Sequence, residues 1–362
     1  MDKNNYYGGF DAAFSLREAE EWAKKVNDSD TSAEFQNAQI HHPTDGPNGT
    51  PSKILEQSRK YTLSLSPQLI YAQSKLLTAL VSSRVHTQLE FQAVGSWWVH
   101  KDKKLHRIPS GREDVFADDT LSRRDKIALM KFLRTVVNEE ETKEPEETAE
   151  VPQKEANRPL ASLMDEYKIS EALNQALLAL SLSPFSSQST RSSYALPRIK
   201  RHMTSIGAFG PGFGAVLPKY GGNAEIAQVG CRAGAVGGGV YVLGAGIVGQ
   251  EPADNPDHVR ISLSNDEKVT TSYVVGSMSD LSNIDWTEGD DVKPNQKLAR
   301  SMHHISIISS PLKQLLPQTS ENGPVPAGAI VLVDDKDHPS TSPVYLQVHS
   351  EDMGECPSGQ CE

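Results

Sequence analysis

Cysteine is scarce in this sequence. Only Cys231, Cys356 and Cys361 occur in 362 residues, too few for a disulfide framework and in keeping with a reducing compartment. Basic charge is also in deficit: 36 Lys and Arg stand against 47 Asp and Glu, for a formal net charge of −11. A nucleic-acid partner is thereby disfavoured, because the basic footprint it needs is missing. No apolar run approaches the roughly 18–20 residues that span a bilayer. The first residues, MDKNNYYGGF, carry neither the basic flank nor the apolar core of a signal peptide. These absences point to a cytoplasmic protein, in which the sequons at Asn27 and Asn48 are chance matches. With 37% hydrophobic and 23% charged residues, the chain reads as globular with some disordered stretches. Its length allows about two domains.

Glycine, by contrast, is plentiful and concentrated. Residues 209–244 read FGPGFGAVLPKYGGNAEIAQVGCRAGAVGGGVYVLG. A glycine-marked approach leads into a short helix with Glu225 and Arg232 on one face, followed by a triple-glycine turn and a strand over 240–243. Such density means a backbone that bends sharply or lies close to another surface.

The remaining elements follow from hydrophobic periodicity. Residues 2–9 read as a strand end and turn, 15–26 as a polar helix, and 27–51 as a polar loop. Apolar residues recur at helical spacing over 69–81. Strands are expected over 88–94 and 97–108, the latter a hairpin around residues 101–104. The stripe Ile127, Met130, Leu133 and Val137 marks a helix over 121–137, and helix resumes over 160–164 and 169–182. Between them, 138–155 is acidic and proline-bearing with almost nothing to bury, a disordered linker; 183–193 is a serine-rich loop. After residue 206 the chain turns strand-rich, at 240–243, 259–263, 269–275, 303–308, 329–333 and 344–349. The division expected is an α/β domain in two parts, 1–115 and 204–362, with a helical domain over 116–203 inserted between them.

Several chemistries are tested and set aside. The run from Gly244 to Gly249 fits GxGxxG after a strand, but QEPADNPDHV follows, with two prolines and no helix to receive a pyrophosphate. A strand–loop–strand turn is expected instead. Asp2 stands where a ribose-binding acid ends a second Rossmann strand, yet no glycine fingerprint precedes it, so a turn aspartate is preferred. The pairs His41-His42 and His303-His304 would point to opposite faces of a strand and cannot share an ion. Cys356 and Cys361 lack a second ligand pair. No catalytic set and no metal site is assigned.

Glu225 and Arg232 lie seven residues apart, two helical turns, with Gln228 and Val229 between them on the same face. A solvated helix face is the ordinary explanation, and a polar docking surface for a protein partner the functional one. Tyr6 and Tyr7, ahead of Gly8 and Gly9, fit turn packing or an interface, where tyrosine is favoured. Of Trp97 and Trp98, one ring is expected inward and one outward. The helical stripes at 121–137 and 169–182 mean a helical core or a crevice that opens for a lipid chain.

Taken together, these blocks resemble one family. Asp2-x-Asn4-x-Tyr6-Tyr7-Gly8-Gly9 is similar to the D-x-N-x-Y-Y-G-G signature of the Rab GDP-dissociation inhibitor and Rab escort protein superfamily. Residues 218–243 resemble its block in which P-x-Y-G leads into E-x-x-Q-x-x-x-R and then GG-x-Y-x-L, with an approach from Tyr220 to Glu225 one residue longer than usual. LEFQAVGSWWVHKDKKLHRIPS at 89–110 and SRRDKIALMKFL at 122–133 also look like family segments, so the resemblance runs over nearly the whole chain.

The resemblance implies an α/β fold of the FAD/NAD(P)-reductase-like, GDI-type kind, needing no flavin, with an inserted helical domain. The α/β domain would dock Rab GTPases in the GDP form, through Tyr7, Glu225, Arg232 and Tyr241. Val242 stands where inhibitor members place a methionine. The helical domain would hold geranylgeranyl lipid and, in escort proteins, contact the Rab geranylgeranyltransferase alpha/beta heterodimer, here through Phe132. Membranes would be met only peripherally, through the cargo. The acidic insert, the FGPGFGAVLPKYGG approach and the Ser/Arg loop favour an escort protein, which presents its Rab to the transferase and performs no bond chemistry itself; a recycling inhibitor and a flavin-dependent oxidoreductase of the same fold are the alternatives. The family starts earlier, with a strand, a glycine turn and a helix, and continues past residues 356–362. The chain is therefore expected to be truncated at both ends, with an incomplete first βαβ unit and weak stability.

Overall fold

The computed structural model describes residues 1–28, 35–41, 53–138, 157–277, 280–281, 283–284, 300–320, 323–333 and 342–362. Asn48, His42 and all of the expected acidic linker beyond Asn138 lie outside them. The chain forms two compact units, Met1–Pro67 with Gly221–Ser306, and Gln68–Tyr220 with Ile307–Glu362. This division differs from the one expected at 115/116 and 203/204. Its cause is Phe91–Lys101, a strand whose Trp97 and Val99 enter the same core as the helices, so sheet and helices fold as one body.

In that second unit the strands run in the order Val344–His349, Gly328–Val333, Phe91–Lys101, Ala215–Pro218, Ile70–Tyr71. Lys104–Ile108 pairs with the far half of Phe91–Lys101 as a hairpin. Gly328–Val333 lies parallel to Phe91–Lys101, and the other pairings are antiparallel. The two strands expected over 88–94 and 97–108 thus share one continuous eleven-residue strand. Side-chain alternation sends Trp97 to one face and Trp98 to the other, but each face has its own core. Trp97 packs with the helices, and half-buried Trp98 lies against Leu315, Leu316 and Val331, its Nε1 donating to Ser96 Oγ at 3.0 Å. Residues 69–81 divide into the strand Ile70–Tyr71 and the helix Lys75–Ser82, capped by Ser74.

The helices Arg123–Asn138, Leu160–Glu166, Glu171–Ser181 and Ser192–Ser205 cover the Trp97 face. Two of them depart from the sequence reading. Arg123–Asn138 buries Leu129, Phe132 and Val136, whereas Ile127 is 62% exposed. The core stripe is therefore rotated from the one beginning at Ile127, because seven large apolar residues spread over more than one face and the large ring of Phe132 takes the centre. Ser192–Ser205 was hidden by Pro197, a residue that ordinarily stops a helix. Here the carbonyl that it leaves unbonded is that of exposed Ser193, where water can satisfy it.

The first unit contains the ribbon Ala13–Phe14 with Leu63–Ser64, the helix Leu16–Asp28, the helix Asn223–Val236 and an antiparallel sheet of Ile247–Pro252, Val259–Leu263 and Lys268–Thr271. Leu16–Asp28 buries Ala19 and Ala23 and sets Trp22 against Phe14. Asn27 at its end uses both carboxamide atoms on the Ala38 backbone, at 2.7 and 3.1 Å. Two expected strands are not formed. Residues 303–308 hold a single bridge, Ile308 to Cys361, and 240–243 a single bridge, Leu243 to Asp2. All of 303–308 but Ile307 is exposed, as are Val240 and Tyr241, so no second layer rewards an extended chain. The strand expected over 269–275 ends at Thr271.

Candidate protein-docking surface

Two glycine-marked segments of the first unit meet at a short backbone ladder. Asp2 N–H donates to the Val242 carbonyl at 2.9 Å, and the amides of Gly244 and Ala245 donate to Asn4 and Asp2 at 2.8 Å each. The Asp2 carboxylate accepts from the backbone and side chain of Asn4 at 2.8 and 3.1 Å. Those two bonds make it a turn aspartate. Downstream, Gly244–Gly249 runs directly into the strand Ile247–Pro252, paired with Val259–Leu263. A strand-to-strand connection of this kind offers no helix N-terminus for a phosphate.

From the ladder the chain passes to Tyr6 and Tyr7, which part company. Tyr6 meets Phe14 edge-on, centroids 4.9 Å apart at 85°, and belongs to the small core with Ala12 and Ala19. Tyr7 points out and is 41% exposed. The turn at Gly8 and Gly9 then closes through Asp11 N–H on the Gly8 carbonyl at 2.8 Å.

Tyr220, Gly221 and Gly222, at φ of 63°, 114° and 62°, form a run of left-handed residues that delivers the helix Asn223–Val236. Gly221 also lies so near the ribbon that a Cβ there would stand 2.9 Å from both Ala13 and Thr62. The helix is short of large side chains and fully buries only Ala224 and Val229. Its outward stripe is Glu225, Gln228 and Arg232, with Glu225 half-buried and the other two exposed; Val229 does not belong to that stripe. Seven residues at about 1.5 Å each set the two positions about 10 Å apart along the helix axis. The acid in the first turn and the base near the last also complement the helix dipole.

After the helix, Gly237 and Gly238 turn the chain back, and Gly239 N–H donates to the Gly234 carbonyl at 2.9 Å. Tyr241 follows, 42% exposed, with its phenol over Gly234. Val236 and Val240 flank this turn at 86% and 84% exposure. None of Tyr7, Glu225, Arg232 and Tyr241 hydrogen-bonds or ion-pairs through its side chain with another described residue. Glu225, Arg232 and Tyr241 thus share one helix and its return turn, and Tyr7 leaves the adjoining ladder.

Phe132, in the other unit, is placed differently. It is 1% exposed, with Tyr167 edge-on at 5.5 Å. A partner at that helix would meet Ile127 or Lys131 first, both exposed.

The described residues contain no group of three or more metal-ligating side chains, and none of their helices is long and apolar enough to cross a membrane. Cys356 is buried, and its thiol is pushed up to about 12 by burial and by the nearby Glu362 carboxylate. It stays protonated and inert at neutral pH.

The fold is that of the GDP dissociation inhibitors. A Rab GDI from Plasmodium falciparum superimposes with a TM-score of 0.62 at 18% identity, over 99% of this chain and 74% of that one. The chain belongs to the GDP dissociation inhibitor family, whose model matches residues 1–352. It is also similar to proteins named Rab proteins geranylgeranyltransferase component A. The Saccharomyces cerevisiae protein is 32% identical over 70% of this chain and 40% of its own length, and the Candida albicans protein 30% over 71% and 39%. The Drosophila melanogaster one is 26% identical over 99% of this chain and 67% of its own length. The chain thus spans about 40% of the first two relatives.

Proposed function

We propose that this chain acts as a Rab escort protein, the component A that binds a Rab GTPase in its GDP form and presents it to the Rab geranylgeranyltransferase heterodimer. The observation that carries the proposal is the outward set of half-buried Glu225 with exposed Gln228, Arg232 and Tyr241 on one helix and its return turn, in a family defined by GDP-form inhibitors. The polar pair would give direction and register to docking, while Tyr7 and Tyr241 would add rigid aromatic area. Held there, the Rab would keep its flexible C-terminus within reach of the separate catalytic subunits, at a raised effective concentration. The prenyl groups would then be sheltered by the helical region, and the escort would carry the product to membranes. On this reading the chain makes and breaks no bond. The names of the fungal and fly relatives favour the escort role.

A second reading, a recycling inhibitor, draws on the likeness to the Plasmodium falciparum Rab GDI. Reconstituted prenylation of a Rab by the catalytic heterodimer, with and without this chain, separates the two. Prenylation that depends on the chain supports the escort role. Binding of Rab-GDP with no support of prenylation would point to the inhibitor.

A further inference from the structure

Glycine is the poorest helix former after proline, yet residue 234 in the last turn of Asn223–Val236 is glycine. Its φ is not left-handed, so the backbone conformation does not ask for it. Its neighbour does: a Cβ on residue 234 would collide with the hydroxyl of Tyr241 and stand 3.2 Å from its Cζ. Gly239 makes the approach possible. Its N–H bonds the Gly234 carbonyl at 2.9 Å, and a Cβ on it would come within 2.9 Å of that oxygen. The phenol therefore rests on bare helix backbone two residues beyond Arg232, while its hydroxyl keeps no partner among the described residues.

We infer that Gly234 is a positioning residue: it fixes the ring of Tyr241 against the docking helix before the Rab arrives, so that little side-chain freedom is lost on binding. This rests on the docking role proposed above and adds a residue that touches no partner. A side chain on residue 234 would tip the ring outward without opening any core, since the displaced atoms are the free end of a half-exposed tyrosine. Alanine there should cost affinity and spare stability, a combination that a merely structural glycine would not give.

The test uses the full chain as wild type, Gly234→Ala, Tyr241→Ala and the double variant, titrated with a GDP-loaded Rab. Gly234→Ala should weaken binding about three- to tenfold, the range expected for one side chain immobilised on binding rather than before it. Its melting temperature should be unchanged or higher, because alanine is the better helix former. The double variant should bind no worse than Tyr241→Ala alone. In the free chain, the ring-current shift of the Gly234 α-protons should vanish in Tyr241→Ala. Additive losses in the double variant, or α-protons indifferent to Tyr241→Ala, would overturn the inference. Unaltered affinity of Tyr241→Ala with the ring-current contact present would instead refute the docking role of Tyr241, and the positioning role with it, leaving only a packing contact.

Discussion

The ring of His202 meets that of Trp97 edge-on, with centroids 4.8 Å apart. Its Nδ1 lies 3.5 Å from the Tyr71 hydroxyl. This imidazole sits between the helix Ser192–Ser205 and the sheet, where burial pushes its pKa down from 6.5 to about 4. The unfolded chain takes up that proton near 6.5, and the folded chain resists it until about 4. Between those values the unfolded state binds more protons, so stability falls as pH falls through the window. The loss amounts to about 3 kcal/mol at the low end. Urea unfolding between pH 7 and pH 4 should show it, and His202→Gln should flatten that part of the profile. An unchanged profile in the variant would assign the acid sensitivity elsewhere.

Phe132 and Ile127 make opposite predictions on one helix. Phe132→Ala empties the centre of the helical core and should cost about 3–5 kcal/mol. Ile127→Ser changes an exposed side chain and should stay within about 0.5 kcal/mol. Chemical denaturation of both variants measures this directly. Any loss of transferase binding in Phe132→Ala would then have to be corrected for unfolding before it was credited to a contact.

The two adjacent tyrosines should separate in the same way. Tyr6→Ala removes the edge-on partner of Phe14 and should lower the melting temperature with little specific effect on Rab binding. Tyr7→Ala should leave the melting temperature alone and weaken binding of the GDP-form Rab severalfold. Calorimetry on both variants, with a Rab titration on each, is the check.

Gly221→Ala places a side chain on a left-handed residue wedged against Ala13 and Thr62. Backbone strain and contact together should destabilise the chain by about 1–3 kcal/mol, read from urea unfolding. A neutral Gly221→Ala would mean that the turn into the helix Asn223–Val236 has room to relax.

Much of the local geometry of the proposed docking surface was legible in the sequence. The seven-residue spacing placed Glu225 and Arg232 on one helix, and the prolines after Gly249 pointed to the strand-to-strand connection found there. The errors have local causes. Val229 stands only about 40° round the helix from Glu225, yet it is fully buried while Glu225 is half-buried, so the edge of the buried face falls between them. The strand expected at 240–243 gave way because Gly239 binds back to Gly234 and turns Tyr241 onto the helix. Apolar count alone could not choose between Ile127 and Phe132 as the inward side of their helix, because that choice is made by partners far off in sequence, such as Tyr167 and Leu177. Pro197 concealed a helix whose cost it reduces by lying opposite an exposed carbonyl.

The central claim is that the Glu225–Arg232 stripe docks a Rab. Titrating a GDP-loaded Rab against Glu225→Arg and Arg232→Glu, both on the outward side of a helix and neither in a described ion pair, tests it most directly. Each reversal should weaken binding at least tenfold, about 1.4 kcal/mol, with the melting temperature held. Wild-type affinity in both reversals would contradict the account.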